Sequence, residues 1–258
     1  MKLLISLLFL AFLTAGPGLS DQKPLVVGME MSFPPFEMLD SQGQPSGVSV
    51  DLAKALGQFL QRPVRFENIP FDGLIPSLKT GKVDIVISSM TVTPDRARSI
   101  DFSDPYLKMG LSILARKDSS IQSINDLDKP NVRVAVKKGT TGHVYAVQHL
   151  QNAKVLVFND DATCATEVAQ GKADCMIYDQ VSVFQHWKKY PDSTRPILHP
   201  FQQEDWAIGL RKGNDSLREQ VNAFIKEFKQ SGGFAQLGNK YFADNKKALE
   251  AAGIPFFF

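Results

Sequence analysis

The stretch Leu78-Lys79-Thr80-Gly81-Lys82-Val83-Asp84 is repeated in outline ninety residues later as Val168-Ala169-Gln170-Gly171-Lys172-Ala173-Asp174. In both copies a helix end is followed by a glycine placed as a C-cap, a lysine, and an aspartate that enters a buried strand. Because the same junction occurs twice, two similar α/β units explain the pattern better than one enlarged sheet. We therefore expect a chain that folds into two related lobes.

The segments around each copy alternate strands with helices. In the first unit, strands are predicted at residues 25–29, 64–66 and 83–87, with helices at 48–60 and 71–78. In the second, strands are predicted at residues 113–115, 132–136, 155–158 and 173–178, with helices at 142–151 and 162–170. A strand at 207–210 and an amphipathic helix at 216–229 follow. This order predicts an α/β fold with mostly parallel, helix-covered sheets in two Rossmann-like lobes.

Residues 1–20 have the three parts of a secretory signal peptide. Lys2 supplies a positive charge, an apolar run follows, and small residues precede a cleavage site predicted after Ser20, with Ala15 as a competitor. The apolar run is shorter than the ~20 residues that a helix needs to cross a bilayer. We therefore expect export through a cleavable signal peptide and a soluble mature chain.

The overall charge is close to neutral, with 29 Lys and Arg against 27 Asp and Glu. Without a basic cluster, this balance argues against nucleic acid or an anionic membrane surface as a partner. Cys164 and Cys175 lie on a predicted helix and the next strand, where they can form a disulfide or remain small buried core residues. The sequence leaves these two alternatives open. Two cysteines without companion histidines are not a usual zinc site, so no metal is expected.

Polar and aromatic residues collect after predicted strands, where open α/β sheets bind ligands. Glu30 and Phe33 follow the first strand and precede two prolines that stiffen the turn. This arrangement favours a carboxylate that faces a cleft and an aromatic wall, although Phe33 in the core is the alternative.

Residues 88–96 form the most informative single motif. Ser88, Ser89 and Thr91 follow a buried strand, and Thr93 can cap a helix that the next residue, a proline, opens. Arg96 then lies in the first turn, where its guanidinium can hold a carboxylate through two parallel hydrogen bonds. A capped surface helix with a solvated arginine is the alternative interpretation.

Two further motifs belong to the second unit. Residues 137–142, Lys-Lys-Gly-Thr-Thr-Gly, join a strand to a helix whose free N–H groups favour an anion, but they lack the P-loop pattern. Asp179 follows the strand at 173–178, where it can be a helix cap or a ligand group.

Taken in order, these motifs resemble the polar amino acid-binding family of periplasmic solute-binding proteins, family 3. The similar segments are residues 33–37, 71–78, 88–96, 101–106, 139–142 and 178–179, and the likeness extends over essentially the whole mature chain. The resemblance implies a periplasmic binding protein-like fold of type II, with two lobes joined by two hinge strands. It also implies a non-enzymatic, monomeric periplasmic protein without a cofactor, which binds a free polar amino acid and delivers it to an inner-membrane ABC transporter permease.

The resemblance also implies lobe boundaries and roles for the ends of the ligand. Lobe I would comprise residues 21–109 and 204–258, and lobe II residues 110–203, with hinges near 108–111 and 202–205. By similarity, Arg96 pairs with the ligand α-carboxylate, helped by Thr91 and the Thr141 amide. Asp179 and groups near Ser89 take the α-ammonium.

The side-chain end of the pocket is less determined by the resemblance. By similarity Phe33 and Phe71 sandwich the ligand side chain, while Glu30 and Lys137 match positions that contact its distal end. Glu30 alone would favour a cationic ligand, Glu30 beside Lys137 a neutral amide, and Lys137 alone an acidic ligand.

An enzyme is the main rival interpretation. Periplasmic cyclohexadienyl dehydratases resemble the same family, and in such an enzyme Glu30 or Asp179 would act as a general acid or base.

Overall fold

The computed structural model describes residues 22–251, which form two α/β lobes. The predicted signal peptide and the apolar end at residues 254–258 lie outside these residues. Within them the strands are, in chain order, β1 (Leu25–Met29), β2 (Ser32–Phe33), β3 (Glu37–Leu39), β4 (Pro45–Ser46), β5 (Val64–Asn68), β6 (Ile85–Val86), β7 (Asp101–Phe102), β8 (Leu107–Arg116), β9 (Arg133–Lys137), β10 (Lys154–Phe158), β11 (Cys175–Asp179), β12 (Thr194–Trp206) and β13 (Gly209–Leu210). The α-helices are α1 (Val48–Phe59), α2 (Phe71–Lys79), α3 (Pro94–Ser99), α4 (Thr141–His149), α5 (Asp161–Ala169), α6 (Gln180–Lys189), α7 (Asp215–Gln230) and α8 (Gly233–Ala251).

Each lobe is built on one five-stranded sheet. In lobe I the strand order is β5-β1-β6-β13-β7, with β1 parallel to both β5 and β6. In lobe II the order is β10-β9-β11-β8-β12, with β9, β10 and β11 mutually parallel and β8 antiparallel to β11 and β12. The predicted α/β class and the two-lobed design are therefore confirmed.

The long antiparallel strands β8 and β12 connect the lobes. They pair from Leu107 opposite Trp206 to Arg116 opposite Thr194, with a register irregularity between Ile197 and Gln202. The hinge positions predicted at residues 108–111 and 202–205 face each other in this ladder, since 108 pairs with 205 and 111 with 202. The exact lobe boundaries stay a prediction.

The repeated heptapeptide has the same structural role in both lobes. Asp84 accepts a hydrogen bond from the Val26 N–H at the start of β1, with 3.0 Å between N and Oδ2. Asp174 accepts one from the Arg133 N–H at the start of β9, at 2.9 Å. Each aspartate also pairs with an arginine side chain, Asp84 with Arg62 and Asp174 with Arg133. In each lobe the aspartate just before one strand is therefore hydrogen-bonded to the start of the neighbouring parallel strand.

Both cysteines are buried and free, so the disulfide alternative is not realised and the core alternative is correct. Burial raises the pKa of the Cys164 and Cys175 thiols well above their usual range, which keeps them protonated and unreactive. In the described part of the chain, no helix is long and apolar enough to cross a membrane, and no group of three or more potential metal ligands occurs.

Candidate ligand-binding cleft

A partly enclosed cavity lies between the lobes. Residues at or just after the carboxyl ends of β1, β6, β9 and β11 line it, as expected for a ligand site in an α/β fold. Nine of the ten site residues predicted from the sequence lie in its wall: Glu30, Phe33, Phe71, Ser88, Ser89, Thr91, Arg96, Thr141 and Asp179. The tenth, Lys137, is buried behind the wall, where its ammonium contacts Glu30 and lies over the ring of Phe71, two residues of the wall.

Glu37 lines the cavity and is hydrogen-bonded to residues that follow β6. Its buried carboxyl group accepts hydrogen bonds from the hydroxyls of Ser49, Ser88 and Ser89, at 2.6, 3.2 and 3.0 Å. Ser88 Oγ in turn accepts the Glu30 N–H at 3.0 Å, which links the ends of β6 and β1. Burial raises the pKa of Glu37 to about 8, so this carboxyl is largely protonated at neutral pH.

Arg96 is positioned by the first turn of α3. Thr93 caps this helix, as predicted, because its hydroxyl accepts the Arg96 N–H at 3.2 Å. The guanidinium donates to the Thr91 carbonyl oxygen at 2.7 Å and, across the cleft, to the Gly139 carbonyl oxygen at 3.1 Å. It also lies over the Phe71 ring, 5.3 Å from the ring centroid. The solvated-arginine alternative is therefore wrong, because Arg96 lines the cavity between the lobes.

Burial lowers the pKa of Arg96 to about 10, while the nearby Glu204 carboxylate acts in the opposite direction. Glu204 is buried in β12 and accepts hydrogen bonds from the Thr91 hydroxyl and the Gln202 amide. The Thr91 hydroxyl is thus already donated to Glu204. To bind a ligand carboxylate, as the family resemblance implies, the Thr91 hydroxyl would have to exchange this hydrogen bond or share it.

The N-terminus of α4 faces the cavity from lobe II. The Thr140 hydroxyl caps the helix by accepting the His143 N–H, and Thr140, Thr141 and Gly142 all line the cavity. The first N–H groups of a helix have no intrahelical acceptor, so those of Thr141 and Gly142 can donate to an anion.

Asp179 provides the opposite charge. It ends β11 and caps α6, because its Oδ1 accepts the Ser182 N–H at 3.0 Å. Within residues 22–251 its other oxygen, Oδ2, is buried and has no hydrogen-bond partner. Burial raises the pKa of Asp179 to about 6, and the nearby Asp161 carboxylate acts in the same direction. The two alternatives for Asp179 are therefore compatible, since one oxygen caps a helix, the other has no hydrogen-bond partner among the described residues, and the residue lines the cavity.

Aromatic rings form the apolar part of the wall. Phe33 stacks on Phe36 at 5.3 Å between centroids and meets Tyr178 edge-on at 5.7 Å. Trp206 from β12 packs against both Phe33 and Phe36. Phe33 is thus both a core residue and a cavity wall, which unites its two predicted alternatives.

Seven cavity residues did not appear among the residues predicted from the sequence: Glu37, Leu111, Thr140, Gly142, Tyr178, Glu204 and Trp206. Four of these belong to segments already named in the motifs: Glu37, Thr140, Gly142 and Tyr178. Their position next to predicted site residues is the signal that could have identified them. The other three, Leu111, Glu204 and Trp206, lie on the two connecting strands. Leu111 and Glu204 fall within the predicted hinge segments, but no local pattern indicated that their side chains would line the cavity.

The cavity therefore offers a guanidinium and helix N–H groups for an anion, and a buried carboxylate oxygen for a cation. Aromatic rings line the space between. This combination suits a small zwitterion, because a buried charge is tolerated only when it is paired.

Comparison with known proteins agrees with this geometry. Residues 25–244 match the family model of the bacterial extracellular solute-binding proteins, family 3. A probable histidine-binding protein from Neisseria gonorrhoeae is 32% identical over 234 residues, which cover 89% of this chain and 87% of that protein.

Two solved structures are similar over most of the chain. One is an ancestral amino acid-binding protein described as a precursor of cyclohexadienyl dehydratase, 39% identical with a TM-score of 0.78, covering 85% of this chain and 95% of that one. The other is an ancestral arginine-binding protein bound to arginine, 34% identical with a TM-score of 0.80, covering 86% and 99%. These relatives are named as binding proteins, which supports the predicted non-enzymatic role over the dehydratase alternative.

Proposed function

Because the chain belongs to the bacterial extracellular solute-binding proteins, family 3, we propose that it binds one free α-amino acid in the cleft between its lobes. The observation that carries the proposal is the unpartnered Oδ2 of Asp179, which lies in the same cavity wall as Arg96 and the N-terminus of α4. An α-amino acid carries a carboxylate and an ammonium on one carbon, and it would satisfy both sides of the cavity at once.

We assign the ligand contacts as follows. Arg96 and the N–H groups of Thr141 and Gly142 hold the α-carboxylate. Asp179 Oδ2 accepts from the α-ammonium. Phe33 and Phe71 enclose the side chain, because aromatic rings exclude water without offering a competing charge.

Ligand binding would stabilise the closed arrangement of the lobes. Arg96 belongs to lobe I, whereas Thr141 and Asp179 belong to lobe II, so one ligand bridges the cleft. A ligand that contacts both lobes binds the closed state better than an open one and shifts the equilibrium toward it. In the boundaries we propose, lobe I comprises residues 21–109 and 204–258, and lobe II residues 110–203, with β8 and β12 as the hinge.

Membership of this family supports a role in amino acid transport. We propose that residues 1–20 direct export and are removed, and that the mature monomer delivers its amino acid to the permease of an ABC transporter in the inner membrane. The near-neutral charge of the chain is consistent with a protein partner rather than nucleic acid.

Arg96→Ala tests the proposed function. Removing one partner of a buried charge pair costs about 3–5 kcal/mol, so we expect affinity for the cognate amino acid to fall by about a hundredfold or more. Isothermal titration calorimetry against the twenty amino acids, preceded by a thermal-shift screen, identifies the ligand and measures the loss.

The matched control is Arg98→Ala on the same helix. The Arg98 side chain is 72% exposed and pairs with Asp95 at the surface, so affinity should stay within about twofold of the wild type. Arg96→Lys keeps the charge without the planar fork and should give an intermediate affinity. Binding to Arg96→Ala as tight as to the wild type would refute the carboxylate assignment.

A further inference from the structure

The distal end of the cleft contains a buried ion pair that joins the two lobes. Glu30 of lobe I accepts a hydrogen bond from the Lys137 ammonium of lobe II, and the Lys137 side chain is only 1% exposed. The other Glu30 oxygen accepts the Phe71 N–H at 3.2 Å. Glu30 lines the cavity, whereas Lys137 lies behind it.

We propose that Lys137, without touching the ligand, neutralises Glu30 from behind the cavity wall and thereby restricts the cleft to amino acids with uncharged side chains. This inference rests on the proposed function, because it names the class of amino acid that the same cleft selects.

Lys137 is held in place from its lobe II side. Its Nζ lies 4.0 Å from Asp161 Oδ1, and Asp161 Oδ2 is 2.8 Å from His186 Nε2. The ammonium therefore sits between two carboxylates, and both Asp161 and His186 are largely buried with it. Such a network fixes Lys137 at the back of Glu30, so a ligand cannot readily displace it.

The other carboxyl groups around the cavity already have partners or an assigned role. Asp179 is assigned to the α-ammonium, and Glu204 accepts from the Thr91 hydroxyl while facing Arg96. Glu37 accepts three serine hydroxyls, and its raised pKa leaves it largely neutral. Among the described residues, no carboxylate in the cavity wall is left to balance a cationic side chain.

The pair also disfavours an acidic side chain. Such a ligand would place its carboxylate against Glu30, the only member of the pair that faces the cavity, and a buried unpaired charge is strongly penalised. A neutral side chain with an N–H or O–H group meets no such penalty, since each Glu30 oxygen keeps a lone pair that can accept a further hydrogen bond.

The test compares Lys137→Met with the double variant Glu30→Gln/Lys137→Met. Titrations use glutamine, threonine, arginine, lysine and glutamate as probes. For the wild type we expect the best neutral amino acid to bind about a hundredfold or more tighter than arginine, lysine or glutamate. Lys137→Met unmasks the Glu30 charge, so the ratio of cationic to neutral affinity should rise about tenfold or more. In the double variant that rise should disappear.

Lys138→Met is the matched control. Lys138 also joins the lobes, through an ion pair with Asp72 at 2.8 Å, but its side chain is 57% exposed and outside the cavity wall. Its removal should leave the ratio of cationic to neutral affinity unchanged.

Three results would overturn the proposal. The first is a wild-type protein that binds arginine, lysine or glutamate more tightly than every neutral amino acid, with Arg96 still required; that result leaves the proposed function intact. The second is an equal selectivity ratio in Lys137→Met and the double variant. The third is a wild type that binds no amino acid, which overturns both proposals. If Lys137→Met does not fold, the wild-type selectivity and the double variant decide the question.

Discussion

Asp179→Asn should separate the stability of the protein from its affinity for ligand. Asparagine has nearly the same shape as aspartate, and its side-chain oxygen can still accept the Ser182 N–H and cap α6. What it removes is the negative charge on a buried oxygen that has no hydrogen-bond partner in the described part of the chain. The substitution therefore tests the charge of Asp179 with little change in packing.

The stability effect can be worked out from the pKa. Burial raises the pKa of Asp179 from 3.8 to about 6, so between pH 4 and pH 6 the folded state binds more protons than the unfolded state. The stability of the wild type therefore falls as pH rises through this range, and the loss is complete above pH 6. A shift of about two units corresponds to about 3 kcal/mol. Without ligand, Asp179→Asn should thus gain up to about 3 kcal/mol of stability at pH 7 and almost none near pH 3.

The affinity effect has the opposite sign. Losing the charge that pairs with the ligand α-ammonium should weaken binding by about 2–5 kcal/mol, or at least thirtyfold. For the wild type, ligand must also compete with protonation of Asp179. Its affinity should therefore fall by about tenfold from pH 7 to pH 5, a dependence that the variant lacks.

Urea unfolding of both proteins without ligand, at several values between pH 3 and pH 8, measures the first effect. Glu37 also titrates in the folded state but is common to both proteins, so only their difference is interpreted. Calorimetric titration at pH 5 and pH 7 measures the second. A variant that is less stable than the wild type at pH 7, or that binds equally well, would refute the reasoning about the unpartnered oxygen.

Two other predictions concern closure and the thiols. Gly139 has φ +77° and its added Cβ would lie 3.1 Å from Asp72 Cβ across the cleft, so Gly139→Ala should hinder closure and weaken ligand binding by about tenfold. Gly213→Ala is the control, because Gly213 has φ +79° but no atom within 4 Å of such a Cβ. This variant should lose stability without losing affinity. Equal affinity losses in the two variants would contradict the role of Gly139. Cys164 and Cys175 should react with a thiol reagent only after unfolding, at two equivalents per chain without reductant. Fewer than two free thiols in the unfolded, unreduced protein would mean that a disulfide forms.

Local signals predicted the parts of the fold that depend on neighbouring residues. The Thr93 cap was predicted from a threonine before a proline, and the heptapeptide repeat predicted the junctions that Asp84 and Asp174 complete. Helices α6 and α8 were not predicted. In α6, Val181, Val183 and Phe184 are all buried within one turn, which hides the helical period, and α8 begins at a glycine.

The remaining part of the site depends on contacts that no local pattern contains. Thr91 meets Glu204 across 113 residues of sequence, and Lys137 meets Glu30 across 107. A strand pattern states which face a side chain occupies, but not which distant side chain will oppose it once two lobes come together. For that reason the sequence left cationic, neutral and acidic ligands open, whereas the observed pairing of Glu30 with Lys137 is the basis of our proposal of a neutral one.

The same positions also explain why the cleft can bind a zwitterion without much reorganisation. A guanidinium has five N–H donors, and the contacts of Arg96 to the Thr91 and Gly139 carbonyl oxygens use two of them while fixing its plane over Phe71. Asp179 is fixed in the same way, because the helix cap occupies one oxygen and leaves the other in place. Both ligand charges would therefore meet partners whose rotamers are already set, so less conformational entropy is lost on binding. Burial disfavours the charged forms of Arg96 and Asp179, as their shifted pKa values show. A ligand that pairs with both charges would offset this cost in the closed state, and ligand binding would thereby be coupled to closure of the lobes.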